Sequence, residues 1–369
     1  MTKLNRQKQA GFSLIEIMVG LVIGLLATLV IMNVFSVFEE QKRTTTGNSD
    51  SQTNGAIALY NLQRDVQLAG FGLPVFDNEY SPFQCPVSGI GSPSIDHDNL
   101  ASTPAINLSP VVIIDNDGAN GSDTVAVHAG DTMRGGIPAR MQAGGTAGNV
   151  VEVDGSLNCA VNDVALVVDP GTLNCNMTRV NAINVTAVTR ITLNNPTYVA
   201  VGNSVACLGI WNEFKYAIDA NNQLTRTGSL VAGVPSATAV PIVSDIVNIQ
   251  AQYGVSPNPN DNKINQWVNA TGAWANPIAS TFNRNRIKAV RIAIVARSGL
   301  LERNNVTNAC SSLTAANPTG LCAWDGSTTT STAPAIDLST NADWQRYRYR
   351  VYESIIPIRN IIWSRDKLG

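Results

Sequence analysis

Apolar residues fill nearly every position from Phe12 to Phe38 (FSLIEIMVGLVIGLLATLVIMNVFSVF), and Glu16 is the only charge among them. Counted from Ile17, 22 uncharged and mostly apolar residues run in succession. At about 1.5 Å per residue this suffices for one membrane-spanning helix. A polar stretch then gives way to AIALYNLQRDVQLAG (56–70), where Ile57, Leu62, Val66 and Ala69 recur near a helical period with Arg64, Asp65 and Gln67 between them. The pattern predicts a helix over 12–70, with 12–38 in the membrane and Gly70 and Pro74 as its stop. Unbroken to Ala69, it would be roughly 87 Å long. Thr44-Thr45-Thr46-Gly47 is a poor helical stretch, which predicts a weak point or bend. Gly20 and Gly24 make a small-xxx-small pair, suited to a close helix–helix contact or to a local bend.

Beyond Asn107 the pattern changes to short β-branched runs separated by turn residues. These predict strands at 111–114, 124–128, 150–153, 164–168, 184–193, 214–218, 242–253, 287–296 and 347–358. No alternation of strand and helix is present, so a doubly wound α/β enzyme is disfavoured. The reading is α+β: one long helix, then an antiparallel β-rich domain over 71–369. Residues 75–106 and 305–340, rich in Ser, Pro, Asn, Thr and Gly, read as surface excursions.

Composition narrows the function. The chain has 369 residues, 44% of them apolar and 14% charged. That charge is well below the roughly 25% of ordinary soluble domains. A net charge of −2 excludes a globally basic nucleic-acid binder. Only His97 and His128 are present, and the six cysteines show no C-x-x-C spacing, which argues against His-rich, zinc-ribbon and thioredoxin-like centres. No G-x-S-x-G, P-loop or H-E-x-x-H pattern occurs, so the chain reads as no enzyme and implies no cofactor.

The ends of the apolar run carry the sharpest chemistry. Lys3, Arg6 and Lys8 precede it, no basic residue comes after it until Lys42, and the asymmetry predicts a cytoplasmic N-terminus. A secretory signal would have an apolar core of about 7–15 residues and a small-residue cleavage site, and neither is found. A plain anchor leaves Glu16 unexplained, because a carboxylate at mid-bilayer costs about 2.5 kcal/mol or more. Cleavage between Gly11 and Phe12 accounts for it. The new Phe12 ammonium lies four residues before Glu16, and in a bundle of many copies Glu16 of one subunit pairs with the Phe12 amine of the next. Loss of residues 1–11 leaves 22 basic against 27 acidic residues, a net charge of −5.

Gly11-Phe12-Ser13-Leu14-Ile15-Glu16 followed by an apolar stretch resembles the processing site of type IV pilins and type II secretion pseudopilins. The resemblance implies that a prepilin peptidase cuts after Gly11 and methylates Phe12. Further landmarks resemble the PilW family of minor pilins: LQRDVQLAGFG (62–72), IVNIQAQYGV (246–255), IKAVRIAIVARS (287–298) and RYRYRVYESIIPIRNIIW (346–363), with PIRN (357–360) the most distinctive. That family implies a low-abundance subunit that helps prime and cap a pilus with sister minor pilins and the major pilin. It also implies a long helix packed on an antiparallel sheet, as in the pseudopilin GspJ. The expected course is inner-membrane insertion, then the pilus or cell surface, with a PilY-type tip adhesin as a further partner. A GspJ-like secretion pseudopilin is the first rival, and a tip-displayed adhesin or DNA-uptake receptor is the second.

Other candidates are weighed on their own residues. In an oxidising compartment six cysteines can form three bridges. Cys310 with Cys322 is the favoured pair, and Cys85, Cys159, Cys175 and Cys207 leave three connectivities open. Asp115, Asp117 and Asp123 suggest a calcium loop, but Ala119 takes a ligand place and Gly118 comes too early, so Asx turns explain the run better. Strand alternation puts Arg346, Arg348 and Arg350 on one face, opposite Tyr347, Tyr349 and Val351. The bland account, a solvated basic face, is preferred to a grip on single-stranded nucleic acid.

Overall fold

A computed structural model of the chain describes residues 11–73, 109–130, 136–142, 148–154, 158–172, 174–194, 196, 198–228, 230–231, 234–235, 238–275, 280–309, 320–324, 333 and 336–363. The excursion at 75–106 lies outside the described residues, as do Cys85, His97 and Cys310.

Helix α1 spans Leu14–Gln67 and runs unbroken through Thr44–Gly47, where the sequence predicts a weak point. Contacts divide the chain at Asp50 into two units. In the first, the apolar side chains of α1 are exposed among the described residues, Leu14, Met18, Val22, Leu29 and Phe35 with them. In the second, Ala58, Leu62, Val66 and Ala69 are fully buried in one stripe. Ala58 takes the core position expected for Ile57, which is 44% exposed. Spacings of four, four and three keep a single helix face inward, and Ile57 falls off it.

The strands in chain order are β1 (Val111–Ile114), β2 (Thr124–Ala129), β3 (Pro138–Arg140), β4 (Val150–Val153), β5 (Val164–Asp169) and β6 (Asn174–Val185). Then come β7 (Thr189–Leu193), β8 (Ser204–Gly209), β9 (Asn212–Ile218), β10 (Gln223–Thr227), β11 (Leu230–Val231), β12 (Val234–Pro235) and β13 (Val240–Ser244). The last are β14 (Ile246–Val255), β15 (Gln266–Val268), β16 (Ile287–Arg297), β17 (Gly320–Leu321), β18 (Ile336–Asp337) and β19 (Tyr349–Pro357). Short helices α2 (Thr281–Asn285) and α3 (Arg359–Trp363) complete the set.

Two sheets, ordered β1-β2-β9-β10-β13 and β15-β14-β16-β19, share one core with the second part of α1. Ile113, Val127, Tyr216, Ile249, Ile292 and Ile356 supply inward residues to it. A third sheet, ordered β3-β8-β5-β6-β7-β4, is closed by a bridge from Met141 to Val153. Backbone bonds from Gln142 N to Glu152 O and Asp154 N to Arg140 O complete the seam. The result is a small six-stranded barrel with its own interior of Met141, Val151, Val167, Ile191 and Val205. It is inserted between β2 and β9, which pair directly, Ala129 opposite Asn212.

Two predicted strands divide in the structure. The run 184–193 contains the turn of a hairpin, with Val185 opposite Thr189. The run 242–253 breaks at Asp245, whose φ of 58° is left-handed and cannot continue a strand. Val243 precedes the Ser244-Asp245 pair and Ile246 follows it, so the apolar run resumes at once and alternation alone does not reveal the break. Cys159 pairs with Cys207 at a Cα–Cα distance of 5.4 Å, tying the segment that leads into β5 to β8 of the barrel. Cys175 and Cys322 are disulfide-bonded too.

Candidate functional site: the helix start and its anchor

The first turn of α1 is capped by its own sequence. Gly11 and Phe12 precede the helix, and the Phe12 side chain is 82% exposed. Ser13 Oγ accepts from Ile15 N at 3.3 Å, and Glu16 Oε2 accepts from Ser13 N at 3.3 Å. Ser13 is the N-cap and Glu16 the third helical residue, so together they form a capping box. The carboxylate therefore sits where the orphan N–H groups make the helix end positive. The Ser-x-x-Glu spacing is visible in the chain, but an argument from charge alone passes over this role of Glu16. Both bonds are long, which leaves the carboxylate with acceptor capacity for a cation.

The other end of α1 is held by three hydrogen bonds with two parts of the chain. Gly70, at φ 74°, donates its N–H to His128 O at 2.8 Å, and Gly130 N donates to Phe71 O at 2.7 Å. Asn360 Nδ2 donates to Ala69 O at 2.7 Å, satisfying a carbonyl that the helix end would leave orphaned. The PIRN segment thus closes the LAG end of the helix, and two landmarks that look independent in the chain meet.

One turn earlier, Asp65 is 2% exposed and carries the main polar anchor. Its Oδ2 accepts from Tyr216 Oη at 2.6 Å and from Arg226 at 2.9 Å, and its Oδ1 meets Arg64 at 3.0 Å. Tyr216 and Arg226 face each other across β9 and β10, so one cross-strand pair presents both donors. The Arg226 guanidinium also lies 3.7 Å above the Phe214 ring. Burial and the Asp65 carboxylate push the Tyr216 phenol far up, and the hydrogen bond to Asp65 raises Arg64.

The remaining candidates settle into structural roles. In the 115–123 loop, Asp117 Oδ2 accepts from Lys215 Nζ and from Thr124 Oγ1, each at 3.0 Å. Asp123 turns inward to accept from Ala251 N at 2.7 Å and from Asn116 N at 3.1 Å. Burial pushes the Asp123 carboxyl up to about 7 against those two donors. These carboxylates point to different partners, and no group of three or more His, Cys, Asp or Glu side chains suited to a metal occurs among the described residues. His128 is buried, with Nδ1 2.7 Å from Ser109 O and Nε2 3.5 Å from Glu213.

The three arginines near the C-terminus do not form one solvated face. Arg346 lies in a short 3-10 turn before β19 and bonds Glu302 O and Asp343, while Arg348 pairs with Glu302 at 2.8 Å. The strand starts only at Tyr349, so strand alternation does not apply to Arg346–Arg348. Arg350 is exposed.

Comparison with known families agrees with this arrangement. A family model described as type IV pilus-assembly protein W (PilW) matches residues 215–360. One for the prokaryotic N-terminal methylation motif matches residues 6–32. No curated protein and no solved structure matches significantly. The PilW match contains Tyr216, Arg226 and Asn360, the groups that hold α1, and the barrel lies before it. Together the two matches support a type IV minor pilin of the PilW family and point to a structural pilus component.

Proposed function

We propose that this chain helps initiate assembly of a type IV pilus and resides at or near its tip. In this reading residues 1–11 are a leader, removed by prepilin peptidase between Gly11 and Phe12. α1 holds the chain in the inner membrane, N-terminus cytoplasmic, until assembly. The observation that carries the reading is Glu16, a single carboxylate at the start of a helix whose apolar residues from Leu14 to Phe38 are exposed. Among the described residues its carboxylate accepts one long capping bond, at 3.3 Å from Ser13 N. In a helical bundle the trimmed Phe12 ammonium of a neighbour supplies a full opposite charge, and in a low dielectric that pairing is far stronger than in water. Residues 17–38 then exchange lipid for the helices of the major pilin and of sister minor pilins.

The inserted barrel supports an end position, since extra bulk on one subunit is easier to place where the filament stops. A PilY-type adhesin would find its seat there. The family match favours a pilus over a secretion pseudopilus of the GspJ kind. Loss of twitching and surface pili on gene deletion, with exoprotein release intact, is the expected outcome.

The charge mechanism is tested by comparing Glu16→Gln with Glu16→Ala. Glutamine keeps the capping acceptor and loses the charge. Both variants should insert in the membrane, and both should be depleted from sheared pili on immunoblots. Normal incorporation of Glu16→Gln would reduce Glu16 to a helix cap and remove the pairing.

A further inference from the structure

A cavity of about 290 Å³ opens on the globular unit, far in sequence from the pilin landmark at Phe12–Glu16. It lies among the Ala119–Gly121 turn, the β9–β10 turn, the C-terminal end of β16 and the segment 338–342. Its polar lining is donor-rich, and the reason can be traced bond by bond. Asn120 Nδ2 donates to Val247 O at 3.2 Å, which fixes the orientation of that amide. The same nitrogen donates to Asn222 Oδ1 at 2.9 Å, and Thr340 Oγ1 donates to Asn120 Oδ1 at 3.2 Å. Asn222 must therefore present its oxygen to Asn120, and its Nδ2 has no partner among the described residues. Asn341 Oδ1 accepts from Asp343 N at 3.0 Å, which orients this amide too and leaves its Nδ2 unused.

Arg297 supplies the charge. Its guanidinium stacks 4.4 Å above Tyr347 and pairs with Asp245 at 3.6 Å, and its Nε is buried without a partner among the described residues. The Tyr349 hydroxyl also has no partner among the described residues, and burial pushes that phenol up to about 12, so it stays a donor. Asp219, in the β9–β10 turn, does not line the cavity, and its Oδ1 accepts from the N–H groups of Asn221 and Gln223. One guanidinium, held by a long ion pair to Asp245, and three neutral donors line the cavity. They suit a ligand with one negative charge and several neutral oxygens.

We infer that this cavity binds a sugar acid, its carboxylate on Arg297 and its hydroxyl and ring oxygens on Asn222, Asn341 and Tyr349. A phosphate or sulfate would ask for more than one cation. A simple carboxylate would leave the three neutral donors idle. The volume is close to the roughly 300 Å³ at the lower end of small-molecule pockets, enough for one pyranose ring. The sugar acid can be free or can be the end of a glycan, which would make the pocket a contact point with an acidic polysaccharide surface.

The test is calorimetric titration of the full chain in detergent micelles, so its result stands apart from any assay of pilus assembly. The probes are D-glucuronate and a glucuronate-terminated tetrasaccharide, with acetate and D-glucose as controls. Saturable binding of D-glucuronate supports the site with a free sugar as ligand; binding of the tetrasaccharide alone supports it with a glycan end as ligand. Asn222→Asp and Asn341→Asp keep the structural acceptor oxygen and set a negative charge in place of a donor. Each should weaken binding about tenfold or more while thermal unfolding is unchanged. Absence of saturable binding for both saccharides, equal binding of acetate, or unaltered affinity in both variants would overturn the inference.

Discussion

Asp65 shows how much one side chain contributes to holding a long helix on its sheets. A carboxylate with 2% exposure is stable only because Tyr216, Arg226 and Arg64 surround it. Asp65→Ala leaves Arg226, 19% exposed, without its anion, and the expected loss is about 3 kcal/mol. Chemical denaturation of the full chain, followed by near-UV circular dichroism, measures it. An unchanged midpoint would mean that the aromatic stack on Phe214 is enough for Arg226. In the sequence Asp65 reads as one of several polar residues between apolar ones. Its burial could not be read there, because Tyr216 lies 151 positions away and nothing local marks the pair.

At the scale of elements, a close approach of α1 to its sheet is made at a glycine. Gly55 lies under the Tyr352 ring, and a methyl group there would overlap the ring atoms. Tyr352 donates its hydroxyl to Gln52 O at 3.1 Å and so is not free to swing aside. Gly55→Ala gains helix propensity of up to about 1 kcal/mol and loses about 1–3 kcal/mol to overpacking. A net fall in melting temperature is expected, with recovery in the double variant Gly55→Ala, Tyr352→Leu. If the single variant raises the melting temperature, the contact is looser than its geometry. The helix itself is legible from its apolar run and its Gly70 stop. The weak point predicted at Thr44–Gly47 is not realised as a break, because poor propensity at a few residues is outweighed by continuous backbone bonding on both sides.

The whole molecule is a pilin fold with a barrel built into it. β2 and β9 are antiparallel neighbours, so the barrel connects two strand ends that already lie side by side. Replacing 131–210 with a short Gly-rich turn should keep the β2–β9 hairpin and a single cooperative unfolding transition, measured by calorimetry. Loss of that transition would make the barrel part of the folding nucleus of the pilin domain. Its strands are only partly visible in the pattern, which predicts 150–153, 164–168 and, as one run across a turn, 184–193, but not 138–140, 174–183 or 204–209. Short, partly polar strands on a closed barrel lack the clean alternation of a sheet with one wet face.

The sequence alone determined the membrane-length helix, the lone Glu16 with its Ser13 cap, and the antiparallel character of the domain behind the helix, because each is set by spacing within a few residues. Contacts across hundreds of positions were left to the tertiary structure. It decided that Asn360 closes the helix end, that Asp65 is an anchor, that Cys159 finds Cys207, and that Asn222, Asn341 and Arg297 line one cavity. The physical reason is range: periodicity and capping are encoded by neighbours, but the partner of a buried charge is known only once the chain has closed on itself.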